Sequence, residues 1–455
     1  MNRSPVVDIG TVIEREQTRS FGALLIIAMA LMMMTEGYDL AAMAFAAPAL
    51  GRAWHLDHGV LGPVFSSFVF GTMIGAFVLG YLGDVIGRKR VIILGSLVLA
   101  VFTLAASLAT DLNQLLWLRF LGGIGIGGVV PNAIAYITDF APKRQRATWV
   151  TLMYCGYTIG SAVGGIIAAQ FIPTHGWQVV FVIGGIAPIL ASIMVAFVVP
   201  ESIRFLTVKG RHTDVAKIIA RSAPGVALTP DTKFVIAQEQ VKSGSLSELF
   251  AGSLRTITPI LWLVYIANSF ALFFMNSWLP VLIERVGLSP HDAALVTTMF
   301  QIGGTVGGLA LMRFVDTRGP IIIAVLPIIG IPVVALIGTG LPVPILWCFA
   351  FLSGFAVVGT QSGLNAVASM IYPTALRAKG TGTAVSIQKI GAIAGPLIGG
   401  MLISAHVPIA QVFYWGAVPV AIVAVLAFLL GLLQRSRERI ASDAISEKKG
   451  VNLVV

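Results

Sequence analysis

Residues 60–109 read VLGPVFSSFVFGTMIGAFVLGYLGDVIGRKRVIILGSLVLAVFTLAASLA. This stretch contains two apolar runs of about 20 residues, each long enough to cross the hydrocarbon core of a bilayer. Between them lies a polar break at residues 83–90, which ends in the basic residues Arg88, Lys89 and Arg90. Consecutive Lys and Arg residues are typical of a loop on the cytoplasmic side of a membrane. The stretch therefore predicts two membrane helices joined by a cytoplasmic loop.

The composition of the whole chain agrees with this interpretation. Of its 455 residues, 57% are hydrophobic and only 11% are charged, whereas soluble proteins are about one quarter charged. These values exclude a disordered chain and a soluble enzyme of ordinary composition. The formal net charge of +10 would suggest nucleic-acid binding in a soluble protein. Here we attribute it to membrane topology, and we expect no nucleic-acid partner.

Twelve apolar runs of membrane-spanning length lie between charged or turn-rich breaks. They cover residues 22–50, 60–82, 91–109, 114–138, 147–170 and 177–199, and then 257–282, 293–315, 320–339, 343–371, 380–404 and 410–433. We predict an all-α membrane protein with twelve transmembrane helices in two six-helix, pseudo-symmetric halves, residues 22–199 and 257–433. A tail (1–21), a central loop (200–256) and a second tail (434–455) complete the chain.

The distribution of basic residues predicts the orientation of these helices. Of the 30 Lys and Arg residues, 26 fall in the two tails, in the loops on one side or at the adjoining end of a span. The opposite loops contain Arg52 and Arg285, while Arg119 and Lys389 fall inside predicted spans. Because cytoplasmic loops are enriched in Lys and Arg, both termini and the central loop are expected to be cytoplasmic.

The two halves also resemble each other in sequence. A shift of 231 residues superposes Pro142 on Pro373, Arg146 on Arg377 and Gly160 on Gly391. Repeated halves are typical of secondary transporters, whose substrate site lies between the repeats near the bilayer midplane.

Three motifs in the first half resemble the signatures of the major facilitator superfamily. They are Gly80 to Arg90 with its G-x-x-x-D-x-x-G-R-[RK] pattern, Arg119 to Gly127, and the segment from Pro200 to Leu206 that reads PESIRFL. The resemblance implies the major facilitator fold. We interpret Asp84 and its basic neighbours as a cytoplasmic gate, because charges at helix ends can hold two halves together in one conformation and release them in another. The alternative is that the basic residues only determine topology.

One glycine motif in this region is interpreted as packing. Gly123, Gly125 and Gly128 match the G-x-G-x-x-G dinucleotide fingerprint, but no strand precedes them and they lie in an apolar run. In a membrane helix, such glycines allow a neighbouring helix to approach closely. We found no hydrolytic triad, metal-ligand spacing or phosphate loop, and we expect no cofactor and no metal.

The first span carries two acids, Glu36 and Asp39, on one helical face. A carboxylate inside a membrane span is costly and is by default a candidate functional site. Two neighbouring carboxyl groups favour protonation of one of them, so we predict that Glu36 and Asp39 couple transport to protons. The alternative is a structural pair at the water interface.

The segment from Glu36 to Ala42 resembles the D-G-x-D-x-x-A segment of the aromatic acid:proton symporters, a family within the superfamily. This chain departs from that pattern in having Glu36 in place of Asp, and Lys389 where the family commonly has arginine. The resemblance implies an aromatic acid as substrate, and Lys389 is predicted to bind its carboxylate. A lysine that reaches the membrane interface is the alternative interpretation.

Further side chains inside or near the spans complete the predicted sites. The substrate-binding set is Lys389, Arg119, Asn132, Tyr136, Phe273, Asn276, Asn365 and Gln388, and Asn268 and Gln361 could line the same polar cavity. The predicted cytoplasmic gate consists of Asp84, Arg88, Asp139, Arg146, Asp316 and Arg377.

We predict a proton-coupled transporter, not an enzyme, that imports a hydroxybenzoate-like aromatic carboxylate by alternating access. The resemblance implies the substrate class, whereas the topology and the buried charges follow from the residues. Transport of another organic anion, such as an aliphatic dicarboxylate or a sugar acid, stays open, as does export. A membrane chemosensor for aromatic acids is an alternative from a different class. The expected setting is the lipid of a bacterial inner membrane, with the chain as a monomer.

Overall fold

The computed structural model describes residues 6–226, 228–229, 232–236, 245–318 and 320–451. Within these ranges, the description leaves out the side chains of residues 147, 312–318, 320–321, 366, 369, 374–375, 378 and 437–451. The chain divides into two compact units. Unit 1 comprises the described residues of Met1–Leu56 and Pro63–Gln240, and unit 2 those of Asp57–Gly62 and Val241–Val455.

The described structure is almost entirely helical. The first part contains β1 (Val6–Asp8), α1 (Ile9–Arg15), α2 (Arg19–Ala53), α3 (Gly62–Ile86), α4 (Arg88–Ala106), α5 (Leu112–Gly127), α6 (Val129–Phe140), α7 (Arg146–His175), α8 (Gln178–Val198), α9 (Ile203–Val208), α10 (His212–Ser222) and β2 (Lys233–Val235). The second part contains α11 (Leu254–Arg285), α12 (Pro290–Arg318), α13 (Val325–Leu336), α14 (Val343–Ile371), α15 (Thr374–Ser404) and α16 (Ile409–Val451).

Twelve helical stretches in the described residues are long and apolar enough to cross a membrane, with α5 and α6 together forming the fourth. The predicted twelve-helix fold is therefore confirmed. Large apolar side chains on these helices face outward, among them Phe77 and Phe197, which are 84% and 86% exposed. Such exposure would be unfavourable in water and is expected for side chains that face lipid.

Glycines set the closest helix contacts, and the same contacts occur in both units. In unit 1, a Cβ atom on Gly71 of α3 would overlap the carbonyl oxygen of Phe120 in α5. In unit 2, a Cβ atom on Gly303 of α12 would overlap the carbonyl oxygen of Phe351 in α14. Any larger residue would force these backbones apart. The equivalent positions lie about 231 residues apart, which confirms the predicted repeat.

The first and fifth membrane helices of each unit form a second repeated contact. Gly160 of α7 lies against the carbonyl group of Met34 in α2, and Gly391 of α15 lies against that of Ile266 in α11. The sequence shift of 231 pairs the same two glycines, Gly160 and Gly391. These contacts fix the positions of α2 and α15, the helices that carry the predicted acids and Lys389.

The polar segments at the start and centre of the chain contain structure of their own. Strand β1 pairs in parallel with β2, with Val6 opposite Lys233. The backbone N–H of Thr18 donates to the carbonyl oxygen of Ser222 at the end of α10, at 2.8 Å. The sequence predicts only a tail and a loop here, because strands of three residues carry no periodic signal.

Candidate functional site

Asp39 of α2 and Arg119 of α5 form a buried ion pair. The two terminal nitrogens of Arg119 lie 3.0 Å from the two carboxylate oxygens of Asp39. The hydroxyl group of Thr103 in α4 also donates to Asp39 Oδ1, at 2.8 Å. Asp39 is 0% exposed and Arg119 is 2% exposed. Three helices thus supply one enclosed, bidentate charge pair, the geometry in which a guanidinium binds a carboxylate most strongly.

The surroundings of this pair are aromatic. The ring centroid of Phe68 lies 4.2 Å from the guanidinium carbon of Arg119, and that of Phe181 lies 5.8 Å from it. The Nε atom of Arg119 has no hydrogen-bond partner among the described residues. Breaking a buried pair by removing one partner typically costs about 3–5 kcal/mol. Loss of the Asp39 charge would therefore leave the Arg119 guanidinium buried without its counter-charge.

Glu36 lies one helical turn before Asp39 but has a different environment. Its side chain is half-buried, whereas that of Asp39 is enclosed. The next residue, Gly37, marks a point where α2 touches the backbone of Tyr157 in α7. All side-chain hydrogen bonds of Asp39 within the described residues go to Thr103 or Arg119. The two acids thus share a helix face but differ in burial.

A second charged cluster lies at the break between α3 and α4. The guanidinium of Arg88 forms an ion pair with Asp139 of α6 and donates to the carbonyl oxygen of Ala135 at 2.9 Å. The hydroxyl group of Ser202 also donates to Asp139. Asp84 lies 3.8 Å from Arg88, and its side chain is 77% exposed. Arg88 and Asp139 are therefore fixed within unit 1, whereas most of the Asp84 carboxylate is accessible.

Glu201 ties the segment after α8 to this cluster. Its Oε1 atom accepts the backbone N–H of Lys89 at 3.0 Å, in the first turn of α4. A carboxylate at this end of a helix is stabilised by the helix dipole. The predicted substrate residue Tyr136 is fully buried, and its hydroxyl group donates to the carbonyl oxygen of Pro200 at 2.9 Å. Its position favours a role in holding this segment.

Asn132 is also placed in a helix contact. Its Nδ2 atom donates to the carbonyl oxygens of Leu79 at 3.0 Å and Gly128 at 2.7 Å. Its Oδ1 atom lies so close to Gly83 that a Cβ atom there would overlap it. These contacts explain why a polar side chain occurs at this position, and they join α3 to α6.

A chain of three amides crosses three helices of unit 2. The Nδ2 atom of Asn268 in α11 donates to Gln361 Oε1 in α14, at 3.0 Å. The Nε2 atom of Gln361 then donates to Gln388 Oε1 in α15, at 2.9 Å. Asn268 is buried, whereas Gln361 and Gln388 are half-buried. The predicted residue Gln388 thus stands at the more accessible end of the chain.

Two further polar pairs lie in the same unit. Gln301 Nε2 donates to Asn276 Oδ1 at 2.7 Å, and the Tyr265 hydroxyl group donates to Asn365 Oδ1 at 3.0 Å. The predicted residues Asn276 and Asn365 are half-buried and exposed, respectively.

The remaining predicted residues fall into two groups. Lys389 and Phe273 are half-buried on α15 and α11. Arg146 and Arg377 are exposed in the first turns of α7 and α15. The side chain of Asp316 lies outside the described residues.

Sequence reasoning missed several partners in these sites. Thr103 and Phe68 contact the buried pair, but each lies in an apolar run where threonine and phenylalanine are ordinary. Glu201 belongs to the Pro200 to Leu206 motif, which marks the residue as a candidate. The motif does not indicate that the Glu201 carboxylate caps α4.

Two repeated units of membrane helices, with charged and amide side chains inside the spans, define a secondary transporter. The family model of the Major Facilitator Superfamily matches residues 25–289 and 261–453. The chain belongs to this superfamily.

Comparison with known proteins gives relatives over nearly the whole chain. The 4-hydroxybenzoate transporter PcaK of Acinetobacter baylyi is 36% identical over 418 residues, which covers 90% of this chain and 91% of that protein. A gallate transporter of Pseudomonas putida is 32% identical and covers 93% of this chain and 94% of that protein. The solved xylose transporter XylE from E. coli is similar in fold, with a TM-score of 0.67 at 18% identity, and covers 92% of this chain and 98% of that one.

Proposed function

We propose that this chain is a proton-coupled importer of a hydroxybenzoate-like aromatic carboxylate. The observation that carries the proposal is the enclosed Asp39–Arg119 pair. A titratable acid bound to a permanent cation inside the membrane domain is suited to couple proton binding to a change of partners. The similarity to 4-hydroxybenzoate and gallate transporters supports the choice of an aromatic acid.

The coupling step follows from the charges of the pair. A proton on Asp39 removes the negative charge that stabilises the Arg119 guanidinium. Protonation is therefore favourable only in a conformation that gives Arg119 another partner or access to water. Glu36, a half-buried acid one turn away on the same face of α2, is the second proposed proton carrier. Proton binding and conformational change are linked in this way without any covalent step.

The charge balance also requires a co-transported proton. Glu36 and Asp39 are matched by Arg119 and Lys389, so a substrate anion alone would add an uncompensated negative charge. It would also move against an inside-negative potential, which costs about 2.3 kcal/mol per 100 mV. One proton carried with each monoanion removes both the uncompensated charge and the cost of moving against the membrane potential.

We propose that Lys389 binds the substrate carboxylate and that Phe273, Asn276, Asn365 and Gln388 lie near the ring. The bonded, buried positions of Arg119, Asn132 and Tyr136 support structural or coupling roles instead, so we leave these three out of the substrate site.

The cytoplasmic gate is proposed to consist of Asp84, Arg88, Asp139, Arg146, Asp316 and Arg377. The exposed carboxylate of Asp84 is the member best suited to exchange partners during the cycle, because Arg88 already has Asp139. We propose a monomer in the inner membrane of a bacterium, with both termini cytoplasmic, since 26 of the 30 basic residues would then face the cytoplasm.

The experiment is uptake into proteoliposomes that contain the purified full chain. A panel of labelled acids (4-hydroxybenzoate, benzoate, an aliphatic dicarboxylate and a sugar acid) is tested with and without an imposed pH gradient, acidic outside. We expect accumulation of 4-hydroxybenzoate only with the gradient, and collapse of accumulation when a protonophore is added. Accumulation of the dicarboxylate or the sugar acid instead would contradict the substrate class. Saturable binding without any accumulation would favour a chemosensor.

A further inference from the structure

The amide chain of unit 2 ends in a hydrogen-bond donor that the described residues do not use. Asn268 donates to Gln361, and Gln361 donates to Oε1 of Gln388, so the last group in the series is the Nε2 amide of Gln388. No described residue accepts a hydrogen bond from it. A polar group in a membrane domain is costly unless it is hydrogen-bonded, and Gln388 is half-buried. This amide is therefore open, among the described residues, to an acceptor such as water or a ligand oxygen.

The series of three hydrogen-bonded amides also fixes the direction in which the Gln388 Nε2 group donates. Gln361 holds the carbonyl oxygen of Gln388 at 2.9 Å, which turns the nitrogen of the same amide away from Gln361. Gln361 is held in turn by Asn268, which is 2% exposed and belongs to the core of α11. Three helices thus orient one amide nitrogen, and an oriented donor loses little conformational entropy when it binds.

The position of Gln388 connects it to the proposed substrate site. It precedes Lys389 on α15, and neighbouring residues project about 100° apart around a helix with 3.6 residues per turn. Lys389 offers a positive charge and Gln388 offers a neutral donor. An aromatic acid with a ring oxygen has matching groups: a carboxylate for the cation and a hydroxyl oxygen for the amide.

We propose that Gln388, oriented by Gln361 and Asn268, donates a hydrogen bond to an oxygen substituent on the ring of the transported acid and selects hydroxylated over unsubstituted aromatic acids. The proposal rests on the proposed function and assigns one residue to ring recognition. Unsubstituted benzoate would displace water from the amide without replacing its hydrogen bond. A site built around such a bond discriminates strongly against the analogue that lacks the hydroxyl group.

The test compares 4-hydroxybenzoate with benzoate, with binding to the purified full chain measured by calorimetry. In the wild type we expect tighter binding of 4-hydroxybenzoate. Gln388→Met keeps the length of the side chain but removes the donor. It should weaken binding of 4-hydroxybenzoate about tenfold, whereas the affinity for benzoate should change less than twofold. Gln361→Met keeps Gln388 but removes the hydrogen bond that orients it, so it should reduce the preference for 4-hydroxybenzoate to a smaller extent. That change in the ratio of the two affinities identifies Gln361 as a positioning residue.

Ser353→Ala is the control, because it removes a buried side-chain hydrogen bond in α14 of the same unit, to the carbonyl oxygen of Ala350, and neither residue belongs to the proposed substrate site. Any effect of this variant should fall equally on both acids. The proposal is overturned if Gln388→Met and Gln361→Met weaken binding of both acids equally or leave the preference for 4-hydroxybenzoate unchanged. The three amides would then only join helices. If the wild type binds neither acid, the proposed function itself is wrong. The two failures are thus distinguishable, and Gln361→Met serves as the test if Gln388→Met does not fold.

Discussion

The Oε1 atom of Glu201 lies 3.0 Å from the backbone nitrogen of Lys89, just after the turn that joins α3 to α4. The contact occupies the first turn of α4, where backbone N–H groups have no partner within the helix. Gly87, the residue before α4, has a φ of +109°, a conformation that only glycine adopts without strain. Two motifs that are more than 100 residues apart therefore form one structure in unit 1.

Gly87→Ala should destabilise this structure. The new methyl group would overlap the Glu201 carboxylate, and the positive φ adds strain, so a loss of more than about 1 kcal/mol is expected. Thermal unfolding of the purified protein measures the loss. Gly80→Ala is the matched control, because a Cβ atom at Gly80 meets nothing within 4 Å. Equal unfolding temperatures for the two variants would contradict this account of Gly87.

Asp84→Asn should slow transport and leave substrate affinity nearly unchanged. The carboxylate is mostly exposed and lies at the end of α3, so its loss affects the proposed gate and not the substrate site. Initial rates of uptake over a range of substrate concentrations separate the two effects. A large rise in KM with an unaltered maximal rate would refute the gating role.

The contact between Asp57 and Arg285 in unit 2 should depend on pH. Partial burial alone would raise the pKa of Asp57, but the Gly59 N–H group, the Arg285 guanidinium and the Ser404 hydroxyl group outweigh it and hold this pKa below its ordinary value. The Arg285 Nη2 atom lies 2.9 Å from Asp57 Oδ1. Because the pKa is lowered in the folded state, the stabilisation is present above the ordinary pKa of about 4 and is lost as the pH falls through the folded-state value.

Arg285→Met tests this dependence. Its unfolding temperature should lie below that of the wild type at pH 7, and the difference should shrink as the pH is lowered below about 4. The contact is partly exposed, so the effect should be small and weaker at high salt. A difference that is constant from pH 7 to pH 3 would show that Arg285 acts by packing instead.

Lys389→Ala should weaken acids more than neutral analogues of the same ring. A charge-assisted hydrogen bond contributes about 1.5–3 kcal/mol, or roughly ten- to hundredfold in affinity. Binding of a matched pair, benzoate and benzamide, measures the difference, and Lys389→Arg is the control that keeps the charge. Equal weakening of both ligands by Lys389→Ala would show that Lys389 is a packing or topology residue.

Much of the fold could be predicted, because bilayer thickness forces apolar runs of recognisable length on the sequence. The predicted second span, 60–82, corresponds to the observed span His58–Ile86. The repeat could be recognised for a similar reason, since glycines such as Gly160 and Gly391 stand where two backbones touch.

The partners inside the site could not be predicted in the same way. The sequence placed Asp39 and Arg119 in separate spans, and no periodic pattern specifies which helices become neighbours. Residue type alone suggested that Tyr136 and Asn132 face the substrate, but a tyrosine or an asparagine can satisfy a backbone carbonyl group equally well. The structure gives both residues backbone partners.

Asp39→Asn is the decisive variant for the proposal that Asp39 couples transport to protons through its pair with Arg119. The amide keeps the size of the side chain but carries no titratable group, and Arg119 loses its counter-charge. The measurement is uptake of labelled 4-hydroxybenzoate into proteoliposomes with the outside acidified, beside exchange of labelled for unlabelled substrate without a gradient. We expect the variant to lose accumulation above the external concentration but to keep some exchange. Accumulation at the wild-type level in Asp39→Asn would show that Asp39 does not couple transport to protons.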